Sequence, residues 1–182
     1  MTIHLQIETA KKALLKGGII AYPTEAVYGF GCDPLNREAV QQLLRIKKRP
    51  ESAGLILLIA HWEQLMPLIA PINSSIMEKI RASWPGHTTW LFPKSNKIPD
   101  WISGSHASVA IRMTNHPVAK HLCDENPLVS TSANTRGTAT ATSIDALQAQ
   151  FSTQIDAFVD APLGNEPAPS IIIDALTGLK IR

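Results

Sequence analysis

Short apolar runs alternate with helical stripes along the whole chain, and that alternation leaves little choice of fold. GIIAY (18–22) and GLILLIA (54–60) are continuous apolar runs, too short for helices, as buried strands are. TTWLFP (88–93), SVAIRM (108–113), PLVSTS (127–132), AFVDA (157–161) and SIIIDA (170–175) read the same way. Between them lie stripes at helical spacing. Ala10, Ala13 and Leu14 form one, stopped by Gly17-Gly18. Val40, Leu43, Leu44 and Ile46 form another, capped by Asn36 and ended by Pro50. Ile72, Ile76 and Ile80 precede Pro85-Gly86, and Asn115 caps a stripe of Val118, Leu122 and Cys123. Thr142 and Asp145 resemble a capping box for SIDALQAQF, and LKIR returns across LTG as a hairpin partner of SIIIDA. There is no internal repeat. The expectation is a single α/β domain over residues 1–182, with a twisted mixed sheet flanked by helices.

Composition excludes several classes. With 45% hydrophobic and 18% charged residues the chain is a folded globular protein. Seventeen basic and fifteen acidic side chains leave a formal net charge of +2, too little to argue nucleic-acid binding from charge alone. Two distant cysteines, Cys32 and Cys123, make neither a disulfide scaffold nor a C-x-x-C metal or redox pair. The N-terminal MTIHLQIETAKKALLKGG has no apolar run of signal-peptide length, and no stretch approaches the ~20 apolar residues of a membrane span. The cytoplasm is the expected location. There is no Walker loop, no complete dinucleotide fingerprint, no G-x-S-x-G elbow and no H-E-x-x-H.

What remains is a scattered set of cations and hydroxyls. In RIKKRP (45–50), Lys47 continues the core-facing stripe of Leu43 and Leu44. Three readings of it stand: a stem along the core with a snorkelling amine, a favourable charge at a helix C-terminus, or part of an anion site with Arg49. In LVSTSANTRG (128–137), a strand delivers Ser130 and Ser132 to one face, and Asn134 and Gly137 suit turn or left-handed geometry. That arrangement is either an anion cradle or an ordinary strand exit with hydroxyl caps. Arg112 sits in a run otherwise fit for burial, so it needs an internal or ligand partner. Ser170 stands at the mouth of another strand, and Arg182 ends LKIR. In GGIIAYPTEAVYGFGCDP (17–34), Gly29 and Gly31 are expected to turn the chain sharply after a strand stopped by Pro23. Glu25 there is either an anchor for backbone amides or a partner for an arginine.

In this order YPTEAVYGFGCDP, KKRP, WPGHTTWLFP, VAIRMTNHP, STSANTRG and PSIIIDALTG resemble the YrdC/TsaC family of bacterial threonylcarbamoyl-AMP synthases, nearly end to end. The resemblance implies a fold similar to dihydroxybutanone phosphate synthase, with a large positively charged cavity. It implies that L-threonine, bicarbonate and ATP condense to threonylcarbamoyladenylate and pyrophosphate. Other proteins then transfer the threonylcarbamoyl group to tRNA. Lys47 and Arg49 match the family's K-x-R, and Ser132 and Asn134 its S-x-N, as the catalytic set. Lys47, Arg49, Ser108, Asn134, Thr142 and Arg182 fall where ATP is held. Thr24, Tyr28, Arg112, Ser132 and Ser170 fall where threonine is held. No carboxylate pair makes a protein cage for a metal, so Mg2+ is expected to arrive on the nucleotide.

The chain departs from the family pattern in places. Gly54 and Leu58 stand where many relatives have a proline and a histidine, and His87 and Arg136 replace the usual residues of P-G-P and S-A-N-x-S-G. Two rival classes are a non-catalytic RNA-binding module using the same basic cavity, with weak tRNA or RNA binding, and a carbamoyl-transfer domain. The first lacks aromatic-basic interleaving here; the second carries zinc-finger cysteines absent here.

Overall fold

A computed structural model describes residues 1–182. The strands are β1 (Ile20–Pro23), β2 (Tyr28–Gly31), β3 (Ile56–Ile59), β4 (Thr88–Pro93), β5 (Ser108–Met113), β6 (Leu128–Ser132), β7 (Ala157–Phe158) and β8 (Ile171–Asp174). The helices are α1 (Ile3–Leu15), α2 (Arg37–Lys47), α3 (Ser74–Ser83), α4 (Asp100–Ser103), α5 (Pro117–Leu122) and α6 (Ile144–Phe151). The strands form one mixed sheet in the order β7-β1-β2-β6-β3-β5-β4-β8. Pairs β7–β1, β3–β5 and β4–β8 are parallel and the rest antiparallel. The expected α/β domain and every expected strand run are present, and LKIR does fold back on β8, with Ile173 bridged to Lys180.

The two faces of the sheet are covered unequally. On one, α2, α3, α4 and α6 close a core of 30 buried residues that includes Phe30, Val40, Leu43, Ile80, Ile102, Ile111 and Leu147. On the other, α1 and α5 bury a core of only 14, built on Ile7, Ile20, Tyr22, Leu58, Val118, Leu128 and Val159. No helix covers the β5, β4 and β8 part of that second face, and this asymmetry positions the site.

Three local expectations are corrected. YGFG is a strand, not a sharp turn: β1 and β2 form a hairpin, with Pro23 paired to Tyr28 around a loop of Thr24 to Val27. Gly31 is required by close packing instead, since a Cβ there would come within 2.7 Å of the Val129 carbonyl and 2.9 Å of the Tyr22 ring. Ser143, not Thr142, caps α6 by accepting the Ala146 amide, because the chain turns helical one residue later. Asn115 does not cap α5: His116 holds the cap position and the Asn115 amide donates to Glu25. In the serine-rich loop Gly137 has positive φ (85°) and Asn134 lies in a bend, both as expected, while Lys48 takes positive φ (48°) and ends α2 ahead of Pro50.

Candidate active site

The bare part of the sheet is the floor of a cavity of about 600 Å³. Paired strands present facing residues on the same side, so Ser108, Ala110 and Arg112 of β5 share the floor with Ile56, Ser130, Leu91 and Ile172. Gly29 and Ala110 keep it open by adding little bulk. Three arginines, Arg49, Arg112 and Arg182, line the cavity with His87 and His106, and no Asp or Glu does.

Arg112 is almost fully buried and has a carboxylate of its own. Its Nη1 donates to Glu25 Oε2 at 2.7 Å, and Glu25 Oε1 accepts from the Thr114 hydroxyl at 2.7 Å and the Asn115 amide at 2.9 Å. Burial by itself would raise the Glu25 carboxyl, but Arg112, Thr114 and the amides overcome it and hold the group below the usual carboxylate value. Both readings of Glu25 therefore hold at once: it anchors amides and pairs with an arginine. Arg112 Nη1 also reaches His87 Nδ1 at 3.2 Å.

Arg49 and Arg182 are handled differently. Arg49 Nε and Nη2 donate to the Gly54 carbonyl at 3.1 and 2.9 Å, and Nη2 donates to Ala53 at 3.0 Å. Arg182 Nη2 donates to the Ser170 carbonyl at 3.1 Å. Neither has a carboxylate within ion-pair distance. Burial, together with nearby Arg136 and Arg182, pushes the Arg49 guanidinium below its usual value, as expected of cations gathered without a counter-ion. Gly54 adopts φ 63°, which a proline ring forbids, and so aims its carbonyl at Arg49.

Lys47 ties the K-x-R and S-x-N segments together. It is 5% exposed, and its Nζ donates to the Ser132 carbonyl, to Ser132 Oγ at 3.3 Å and to Asn134 Oδ1 at 2.7 Å. Ser132 Oγ in turn donates to Asn134 Oδ1 at 2.7 Å. The loop also caps the helix end: the Arg136 amide donates to the Lys47 carbonyl at 3.0 Å. Burial, aided by Arg49, pushes the Lys47 ammonium down to about 8. Lys47 is neither snorkelling nor idle at a helix end, and its head group is directed at the S-x-N segment.

Of the residues that the resemblance assigned to catalysis, ATP and threonine, Thr24, Arg49, Ser108, Arg112, Ser132, Asn134, Ser170 and Arg182 line the cavity. Three do not. Lys47 lies behind Ser132 and Asn134; Tyr28 is buried with its hydroxyl donating to the Ala161 carbonyl at 3.2 Å; Thr142 is exposed, and Thr140 lines the cavity instead. Tyr28 thus does not face in, because the β2 strand turns its ring toward the Ala161 segment. Sequence reasoning missed the Thr114 and Asn115 partners of Glu25, which no pattern marks. It also gave no role to His87, whose one signal was its replacement of a proline.

Comparison with known proteins follows the same outline. Residues 12–182 match the Sua5/YciO/YrdC family model, described as telomere recombination. A threonylcarbamoyl-AMP synthase of Coxiella burnetii is 47% identical over 178 residues, covering 97% of this chain and 96% of that protein. One of Pseudoalteromonas translucida is 46% identical over 186 residues, covering all of both chains. The crystal structure of P. abyssi Sua5 complexed with L-threonine superposes with TM-score 0.86 at 34% identity. That match covers 92% of this chain and 50% of that longer one.

Proposed function

Since the chain belongs to the Sua5/YciO/YrdC family, we infer that it is a nucleotidyltransferase that makes L-threonylcarbamoyladenylate and pyrophosphate from L-threonine, bicarbonate and ATP, for modification of tRNA. The observation that carries the reading is the full-length match to relatives of that name, joined to a cavity lined by guanidiniums and hydroxyls and no carboxylate.

The chemistry needs such a lining. The threonine amine and bicarbonate form a carbamate and release water. A carbamate oxygen then attacks the α-phosphorus, and the bond to pyrophosphate breaks. Two anions must meet, so fixed cations and aimed donors lower the barrier. We assign Arg49 and Arg182 to the triphosphate, with Ser108 and Asn134 beside the nucleotide. Arg112, Thr24 and Ser170 take threonine, and Ser132 stands between the two substrates. Lys47 holds Ser132 and Asn134 in place and supplies positive charge behind them. Tyr28 and Thr142, outside the lining, have no contact role in this assignment.

No group of three His, Cys, Asp or Glu side chains is placed to hold a metal ion. A Mg2+ ion would come bound to the triphosphate, where it would shield the leaving pyrophosphate. Separate transfer proteins would then carry the product to tRNA, and direct tRNA contact by this chain would be weak. No helix is long and apolar enough to cross a membrane, and a cytoplasmic location accords with the substrates.

The test is pyrophosphate release from ATP with and without threonine and bicarbonate. Release that requires both supports the reading. Salt-sensitive RNA binding without adenylate formation would replace it with the RNA-binding alternative.

A further inference from the structure

His87 lies on the turn before β4, half-buried at the cavity wall, and both of its ring nitrogens are engaged. Nδ1 stands 3.2 Å from Arg112 Nη1, and Nε2 stands 2.6 Å from the Ala168 carbonyl. The partners dictate the tautomer. A guanidinium only donates and a carbonyl only accepts, so Nδ1 accepts and Nε2 carries the proton. The ring fits this place only as neutral imidazole.

Two consequences follow for Arg112. Its Nη1 is saturated by Glu25 and His87, which leaves Nη2 and Nε as the nitrogens available to the cavity. The ring also joins this arginine to segment 168–170, where the Ser170 carbonyl accepts from Arg182 and the Ser170 hydroxyl meets Thr89 at 2.8 Å. The rest of the 162–169 segment lies on the β1–β2 loop, with the Gly164 and Glu166 amides donating to the Thr24 and Glu25 carbonyls. His87 is the side-chain link between that segment and β5.

Resting on the assignment of Arg112 and Ser170 to threonine, we propose that His87 is a positioning residue for the threonine subsite. Neutral, it fixes the orientation of Arg112 and the position of Ser170. Protonated, it loses the acceptor and sets a second cation against the guanidinium, releasing Arg112, while Nε2 still donates to the Ala168 carbonyl. The charged groups set against the ring are Arg112 on β5 and Glu25, bonded to the same guanidinium nitrogen; Arg49, His106 and Arg182 share the cavity. Threonine affinity should therefore fall on acidification, while affinity for ATP changes little.

Steady-state pyrophosphate release, with threonine titrated at saturating ATP and bicarbonate from about pH 8 down to about pH 6, tests this. His87→Ala should raise the threonine KM about tenfold, the scale of one hydrogen bond to a charged group, with kcat and the ATP KM within about twofold. His87→Gln keeps an acceptor and a donor that cannot titrate, so it should restore the KM to within about threefold and abolish its rise at low pH. The wild type should show that rise. An unchanged KM in His87→Ala, or the same acid rise in His87→Gln, overturns the proposal. Should His87→Ala melt early, the wild-type and His87→Gln profiles decide alone. Arg112→Ala separates the two levels: a normal threonine KM there sinks the assignment and the proposal together, whereas a raised one beside a normal His87→Ala sinks only the proposal.

Discussion

Arg112 and Arg49 are both cavity arginines, yet they are held in opposite ways. Arg112 is buried against a carboxylate that is itself pinned by Thr114 and Asn115. Arg49, like Arg182, is held by main-chain carbonyls, which orient a guanidinium without neutralising it. The Arg112 set is nearly neutral overall and suits a zwitterion such as an amino acid, whose carboxylate needs direction more than net charge. The Arg49 and Arg182 set keeps its positive charge and suits a polyanion. One cavity thus offers two electrostatic environments, separated by whether each arginine has its own counter-ion.

The sharpest way to break this contrast is to remove the counter-ion. Glu25→Gln leaves the Arg112 guanidinium buried without its carboxylate and should cost about 3–5 kcal/mol in urea unfolding. The pair also predicts a pH dependence. The folded Glu25 carboxyl titrates below its unfolded value, so its stabilisation is complete above the unfolded carboxylate range and is lost as pH falls through the lower folded value. A Glu25→Gln unfolding curve with the same acid slope as wild type would contradict it. Next in size, Arg49→Ala should lower kcat/KM for ATP about 100-fold with little loss of stability, because no buried carboxylate is orphaned. Lys47→Ala should match that loss of activity if the S-x-N segment depends on it. Ser132→Ala should then raise the threonine KM about tenfold and the ATP KM far less; equal rises would mean that Ser132 only supports its loop. Smallest, Tyr28→Phe should cost about 1 kcal/mol or less in thermal unfolding and leave the threonine KM unchanged, since its hydroxyl serves the Ala161 carbonyl.

Much of this was legible in the sequence, for reasons particular residues make plain. Lys47 stood out because a helical stripe placed a cation on a buried face, and burial is where the structure puts it. Arg112 stood out because strand alternation left a charge with no water to face. β2 was not legible, because Gly29 and Gly31 look like turn residues when read locally. The reason at Gly31 is tertiary: the Tyr22 ring and the Val129 carbonyl approach it from other strands. His87 was visible only as an unexpected residue, since its partners Arg112 and Ala168 lie 25 and 81 positions away. The unequal cover of the sheet could not be read at all, because it depends on which face each crossover helix takes.

That unequal cover has a consequence for how the protein tolerates mutation. Ala110, Leu91 and Ile172 sit in the same sheet as fully packed residues, but their side chains look into open space. A larger residue at Ala110 would meet no neighbouring helix, so the protein would still accumulate and melt normally while the room for substrate shrank. On the opposite face, at Ile111 or Val129, the same enlargement would strain a filled core and deplete the protein itself. A survey scoring abundance and activity separately should therefore split β5: Ser108 and Ala110 lose activity alone, the odd positions lose both, and Arg112, whose loss orphans the buried Glu25, joins the odd ones.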